Sequence, residues 1–203
     1  INDIFGRQNT LAVLVPKGDY DKERALLADL EKHTEVNSAL GIANAEAMDD
    51  YMLADALTPR NFAEMMDLDV EMANLLYAAY GVKNEAYGQV IGNLDQYEVP
   101  LIDMLLFLHE EADEGYIELD DEMQRDLDDA YAEIIDAQEQ LQGETYSRLV
   151  VDLNISEEGQ ETFDFLNVLR EDVERYYDDY LLVGNSTSDY DLSISFSRDN
   201  VMI

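Results

Sequence analysis

Apolar and polar residues alternate with a period of two over residues 148–155. One set of positions is Leu149, Val151, Leu153 and Ile155, and the other is Arg148, Val150, Asp152 and Asn154. Successive side chains of a β-strand point to opposite faces of the sheet. The alternation therefore predicts a strand that is covered on one face and largely polar on the other.

A helix and a short strand follow in the pattern. Apolar residues recur at helical spacing from Phe163 to Tyr176, and Ser156 stands where an N-cap residue would begin such a helix. Residues 180–183 form a short β-favouring run. The order of elements in this part of the chain is therefore predicted to be strand, helix, strand.

The beginning of the chain carries a second unit of the same kind. Residues 11–15 predict a strand, residues 20–33 predict a helix, and residues 36–43 predict a weaker strand that contains Gly41. Two such βαβ units predict an α+β fold, the split βαββαβ (ferredoxin-like) sandwich. In that topology both chain ends are expected at one pole of the sheet, and the link between strands two and three at the other.

The predicted βαββαβ topology implies a division of the chain into domains. Residues 1–44 and 143–185 are expected to form a discontinuous βαββαβ subdomain. Residues 45–142 are expected to form a large all-α insertion between strands two and three. Within the insertion, Thr58 followed by Pro59 predicts one helix start, and Asp69 predicts the next.

Pro100 opens a markedly apolar segment over residues 101–108. A helix that is hydrophobic around most of its circumference is usually buried, here in the centre of the insertion. The alternative is a helix that faces an amphipathic substrate or a partner domain. Under that alternative, Met104 and Phe107 are the contact candidates, because methionine makes adaptable apolar contacts.

Composition narrows the functional classes. There are 47 acidic against 12 basic residues, which gives a formal net charge of -35. Such a chain would repel a phosphate backbone, so ordinary nucleic-acid binding is excluded. The sequence has no cysteine, no glycine-rich phosphate loop and no hydrolase or zinc-peptidase motif, so we expect no enzymatic activity. The negative charge should favour the binding of cationic or zwitterionic amphiphiles over anionic ones. Alternatively, the charge serves only to keep the protein soluble, or it reflects a halophilic source.

The acidic stretch over residues 110–121 is a candidate calcium site. If Gly115 is the sixth position of an EF-hand loop, several carboxylates fall at ligand positions. Those carboxylates belong to Glu110, Glu114, Glu118 and Asp121. Ala112 at the third position offers no oxygen, so the other interpretation is a solvated acidic turn without a metal cofactor.

Both ends of the sequence are apolar, which predicts a fragment of a longer polypeptide whose ends enter a bilayer. Four motifs also occur in order: IFGRQN at residues 4–9, VPKGD at 15–19, YSR at 146–148 and VGNSTSDYDL at 183–192. With them the chain closely resembles an extracytoplasmic loop of MMPL-type transporters, which belong to the resistance-nodulation-division (RND) superfamily, in its Gram-positive branch. The resemblance covers nearly the whole chain.

The resemblance implies a porter-like domain on the extracellular face of the cell membrane. Such a domain helps a proton-driven exporter to capture or pass a hydrophobic or amphipathic, lipid-like substrate. Residues 186–203 would be a juxtamembrane segment that leads to a transmembrane helix. Arg148 and Asp152, on the polar face of the third strand, would meet the companion loop of the same polypeptide. The alternative is a secreted or surface-anchored acidic module that binds calcium or a protein partner through its helical insertion.

Overall fold

A computed structural model describes residues 9–188 of the chain. The α+β class is confirmed, because helices are combined with antiparallel sheets. The elements are β1 (Asn9–Pro16), α1 (Tyr20–Leu30), β2 (Val36–Leu40), β3 (Ala56–Leu57), α2 (Pro59–Met66), α3 (Val70–Lys83), α4 (Tyr87–Asn93), β4 (Val99–Pro100), α5 (Leu101–Asp113), α6 (Asp121–Leu141), β5 (Tyr146–Leu153), α7 (Gln160–Glu174) and β6 (Leu181–Val183). The expectations about the chain ends, and most of the expected juxtamembrane segment, lie outside the described residues.

The described residues fall into two compact units. The first, here called the sheet unit, consists of residues 9–44 and 138–188. The second, here called the helical unit, is Ala45–Ala137. Each unit has its own buried apolar core.

Four strands form the sheet of the sheet unit, in the order β2, β5, β1, β6. β5 is antiparallel to both β1 and β2, and β1 is also antiparallel to β6. It follows that β1 is parallel to β2, with α1 between them in sequence, and that β5 is parallel to β6, with α7 between them. The longest pairing runs from Asn9 opposite Leu153 to Pro16 opposite Tyr146.

The core of the sheet unit lies between the sheet and its two helices. Leu149 and Val151 are fully buried and Leu153 is 3 % exposed, which confirms the predicted covered face of β5. The strand ends before Ile155, the last position of the predicted alternation. Other strand and helix positions complete this core: Leu11, Val13, Val15, Leu26, Leu27, Leu30, Phe165, Leu166, Leu169 and Val173.

Two predicted boundaries in the sheet unit were wrong. β2 ends at Leu40, because the next residues turn into a short 3₁₀ helix, Ile42–Asn44. The Asn44 side chain fixes this turn: its Oδ1 accepts from the Gly41 N–H at 2.8 Å, and its Nδ2 donates to the Ala39 carbonyl at 2.8 Å. α1 likewise ends at Leu30, before the predicted end at residue 33.

Ser156 does not cap α7 as predicted. The helix begins at Gln160, and Gly159 is its N-cap with a φ of 123°, a conformation that favours glycine. The Ser156 hydroxyl donates instead to the Glu158 carbonyl, while the Ser156 carbonyl accepts from the Thr162 hydroxyl. The loop before the helix is therefore longer than the sequence pattern indicates.

Two helices of the helical unit, α2 and α3, begin where the sequence predicts. The Thr58 hydroxyl accepts from the Asn61 N–H at 3.3 Å and caps α2, and the Asp69 carboxylate accepts from the Glu71 N–H at 2.7 Å and caps α3. The segment 45–142 is not all-α as predicted, because a short antiparallel pairing joins β3 to β4, with Leu57 opposite Val99. No helix within residues 9–188 combines the length and the apolar character needed to cross a membrane.

Candidate functional site

One candidate site is a cleft of about 550 Å³ in the helical unit. Three segments form it: residues 48–49 from the loop before β3, residues 65–67 at the end of α2, and residues 120–126 at the start of α6. Its volume lies within the range of small-molecule sites in proteins. We call it the acid–methionine cleft, after the side chains that line it.

Four of the eight methionines of the chain line the cleft. They are Met48, Met65, Met66 and Met123. α2 buries Phe62, Ala63 and Met66 on one face, and its end brings Met65 to the wall of the cleft. Methionine has an unbranched, polarizable side chain, so this wall can adapt to apolar groups of different shape.

All the charged residues that line the cleft are acidic: Asp49, Asp67, Asp120, Glu122 and Asp126. The Asp120 carboxylate accepts from the N–H groups of Glu122 and Met123, at 3.0 and 2.9 Å, and so satisfies the first turn of α6. No hydrogen bond or salt bridge holds the other four carboxylates within residues 9–188. The cleft therefore presents unpaired negative charge beside thioether groups.

Two of these aspartates lie in the left-handed region of backbone conformation. Asp49 has a φ of 53°, and Asp67, which ends α2, has a φ of 51°. Glycine is the usual residue at such a helix end, and asparagine the next. The aspartate places a carboxylate at the rim of the cleft where glycine would leave none.

A smaller cavity of about 160 Å³ adjoins the cleft, and Met48 lines both. Its wall is mainly apolar, with Leu53, Leu105 and Ile134 beside four alanines and the carboxylates of Glu46 and Glu133. The two spaces together offer an acidic opening and an apolar recess. Three separate segments of the chain supply the cleft, which is why sequence spacing did not reveal it.

The two predicted substrate contacts in α5 lie in the core of the helical unit. Met104 is fully buried and Phe107 is only 5 % exposed. The Phe107 ring packs edge-on against Tyr80 at 5.4 Å, and the Lys83 ammonium lies 5.3 Å from its centre. This burial favours the structural interpretation of the apolar segment over the substrate-facing one.

The candidate calcium ligands do not converge. Glu110 accepts a hydrogen bond from Lys83 Nζ at 2.8 Å, and this contact raises the pKa of the lysine. Gly115 forms the turn with a φ of 78°, and Asp121 is the first residue of α6. Within the described part of the chain, no group of three or more acidic, histidine or cysteine side chains is arranged to hold a metal ion. Calcium binding by Glu110, Glu114, Glu118 and Asp121 stays a prediction.

The polar face of β5 has mainly internal contacts. Asp152 accepts hydrogen bonds from Thr10 on β1 at 3.3 Å and from Asn37 on β2 at 3.2 Å. It therefore ties three neighbouring strands together. Arg148 is exposed and stays available for the predicted contact with a companion loop.

The sequence analysis missed two polar clusters in the sheet unit. Asp172 of α7, with 7 % of its side chain exposed, contacts His33 Nε2 at 2.5 Å and accepts from Arg175. A second cluster is formed by Glu23, Ser147 and Tyr177, whose side-chain oxygens are buried. Burial raises the pKa of the Glu23 carboxyl; the nearby Ser147 opposes this effect and Asp19 adds to it.

Comparisons with protein-family models, with characterised protein sequences and with solved structures find no significant match to this chain.

Proposed function

We propose that this chain is an extracytoplasmic domain of a proton-driven RND/MMPL-type membrane exporter, and that it contributes to the capture or passage of a hydrophobic or amphipathic substrate. The proposal includes a split βαββαβ arrangement for the sheet unit and residues 45–142 as its insertion. The membrane and a companion loop of the same polypeptide are the proposed neighbours, and no nucleic acid is expected.

The strand order β2, β5, β1, β6 is the observation that carries this proposal. Two parallel strand pairs, each with a helix between its strands in sequence, are interleaved antiparallel, as a βαββαβ sandwich requires. The compact unit Ala45–Ala137 falls between β2 and β5 in sequence, which supports the proposed insertion. Because a fold alone does not define a function, the transporter assignment also depends on the four motifs in the sequence.

Cysteine labelling in intact cells tests the extracytoplasmic location. The chain has no cysteine, so a single Glu144→Cys substitution at an exposed position gives it one reactive thiol. The complete protein should react with a membrane-impermeant maleimide before the cells are opened, and the unsubstituted protein serves as the control for background labelling. Labelling only after lysis would place the domain in the cytoplasm and contradict the proposal.

The complete reading frame gives a second test. The proposal predicts apolar segments of about 20 residues directly before residue 1 and after residue 203. A signal peptide with a surface anchor, and no such segments, would favour the alternative of a surface-anchored interaction module.

Exposed apolar side chains on α3 and α4 favour that alternative. Leu75 is 73 % exposed, Val82 is 50 % exposed and Ile91 is 85 % exposed. Leu75 and Val82 are seven residues apart and so lie on one side of α3. Light scattering would test self-association through these side chains. If the unsubstituted chain is a dimer, the double variant Leu75→Glu, Ile91→Glu should be a monomer. A monomeric unsubstituted chain would exclude a second copy as the partner.

A further inference from the structure

We propose that the acid–methionine cleft binds an amphipathic monocation, with its cationic head at the carboxylates of the cleft and its apolar chain directed to the adjoining cavity. This inference deepens the proposed function, because it names the chemical class of the substrate, and it rests on that function for the step of transport. Binding itself can be measured without transport.

The charge of the cleft selects the head group. Asp49, Asp67 and Asp126 contribute negative charge that no side chain of residues 9–188 neutralises. A cation that enters the cleft gains favourable electrostatic interactions with several carboxylates at once, whereas an anion is repelled. The net charge of -35 extends the same preference to the approach from solvent.

The methionines select an apolar chain. A hydrated inorganic cation would gain little from thioether groups, while an alkyl chain gains from each apolar surface that it removes from water. Met66 is only 8 % exposed and Met48 is half-buried, so the wall behind the carboxylates is already largely desolvated. The ligand must therefore combine positive charge with apolar surface.

The adjoining cavity provides room for such a chain. Met48 lines both the cleft and a recess whose apolar wall includes Leu53, Leu105 and Ile134. The carboxylates of Glu46 and Glu133 also line the recess and add to its preference for a cation. The acidic opening and apolar recess match the two parts of an alkylammonium ion. A binding site of this kind uses few polar groups to orient its ligand and apolar contacts to hold it.

Calorimetric titration of the 203-residue chain tests the proposal with three probes of equal chain length, each below its micelle concentration. Decyltrimethylammonium should bind at one molecule per chain, decyl sulfate should not bind, and decyl maltoside should bind more weakly than the cation. Affinity for the cation should fall as sodium chloride is raised from about 20 to about 500 mM, because salt screens the carboxylates. Equal or tighter binding of decyl sulfate would overturn the proposal.

A charge variant locates the head group. The triple variant Asp49→Asn, Asp67→Asn, Asp126→Asn keeps side-chain size, and asparagine tolerates the left-handed conformation of the first two positions. It should weaken decyltrimethylammonium binding by about tenfold. The matched control Glu144→Gln, Glu158→Gln, Glu171→Gln removes three exposed charges from the sheet unit and should leave affinity nearly unchanged. Equal losses in both variants would show non-specific attraction and overturn the assignment to the cleft.

A methionine variant locates the apolar chain. Met48→Gln keeps the length of the side chain but makes it polar, so it should reduce the gain in affinity between hexyltrimethylammonium and decyltrimethylammonium. Circular dichroism and thermal unfolding establish that the variants remain folded. An unchanged dependence on chain length would contradict insertion past Met48.

Transport by the complete protein separates this inference from the proposed function. If the chain binds the cation but vesicles with the complete protein export no amphiphile, the binding site stands and the exporter assignment fails. If the vesicles export an uncharged or anionic amphiphile and the chain binds no cation, the exporter assignment stands and this inference fails.

Discussion

The acids that link elements of the sheet unit and the acids of the acid–methionine cleft differ in their contacts. In the sheet unit, carboxylates serve the fold: Asp152 joins three strands, and Asp172 is held by His33 and Arg175. In the helical unit, four acids of the acid–methionine cleft have no partner among the described residues. Unpaired charges that repel each other do not stabilise a fold. We therefore expect Asp152 and Asp172 to stabilise the sheet unit and the acids of the cleft to serve binding.

Packing differs between one core position of the sheet unit and one of the helical unit. In the sheet unit, a methyl group added to Gly41 would lie 2.7 Å from Leu149 Cδ2, so this part of the core leaves no room for one. In the helical unit, Leu105 borders a cavity of about 160 Å³ although it is 2 % exposed. Leu149 is thus more tightly packed than Leu105, although the helical unit is also close-packed elsewhere: a methyl group added to Gly81 would clash with Val90 Cγ2.

Core truncations should show the largest difference between the units. Leu149→Ala removes a tightly packed side chain and should lower the free energy of unfolding by about 4 kcal/mol, whereas Leu105→Ala should cost about 2 kcal/mol because that side chain already borders a cavity. Urea unfolding followed by circular dichroism measures both. Leu181→Ala, at a half-exposed position, is the control and should cost less than about 1 kcal/mol. A larger cost at Leu105 than at Leu149 would reverse the comparison.

Removal of single carboxylates should give the next largest difference. Asp172→Ala leaves the groups that contact it, on His33 and Arg175, without their partner and should destabilise the chain by about 1 to 3 kcal/mol. Asp126→Ala in the cleft should change stability by no more than about 0.5 kcal/mol. Equal effects in urea unfolding would mean that the cleft acids also support the fold.

Glu23 should give the sheet unit a dependence on pH. Burial raises the pKa of its carboxyl above the ordinary value of 4.5, so the folded chain holds this proton more tightly than the unfolded chain. Its contribution to stability is complete below pH 4.5 and is lost as the pH rises through the folded-state pKa. Glu23→Gln stays neutral, so thermal unfolding should show it equal to the unsubstituted chain in acid and more stable at neutral pH. A constant difference at every pH would contradict this account.

Calcium should have the smallest effect. The Glu110 carboxylate is already paired with Lys83, and the other predicted ligands do not converge with it. Calorimetric titration with calcium should therefore give the same small heats for the unsubstituted chain and for Asp121→Ala. A saturable heat of calcium binding that is lost in Asp121→Ala would establish the loop as a calcium site and support the EF-hand interpretation.

Local sequence patterns predicted a helix or strand correctly where a single capping residue or a regular hydrophobic period determines it. The covered face of β5 follows from its alternation, and the starts of α2 and α3 follow from Thr58 and Asp69. The start of α7 and the end of β2 were missed because they depend on Gly159 and on the hydrogen bonds of Asn44, which compete with the simple pattern.

Most of the candidate site could not be predicted from the sequence pattern. Methionine at helical spacing indicates a buried core as readily as a ligand site, and Met104 is indeed in the core. The cleft uses Met48, Met65 and Met123, which come together only through the packing of three distant segments. Glu23 gave no signal either, because a glutamate in the first turn of a helix is an ordinary exposed residue in most sequences.

Hydrogen exchange of the 203-residue chain with and without decyltrimethylammonium tests most directly whether the helical unit binds ligand while the sheet unit supports the structure. The account predicts slower exchange in peptides that contain residues 48–49, 65–67 and 120–126, and unchanged exchange in β1 and β5. Slower exchange confined to the strands, or none in the three cleft segments, would contradict it.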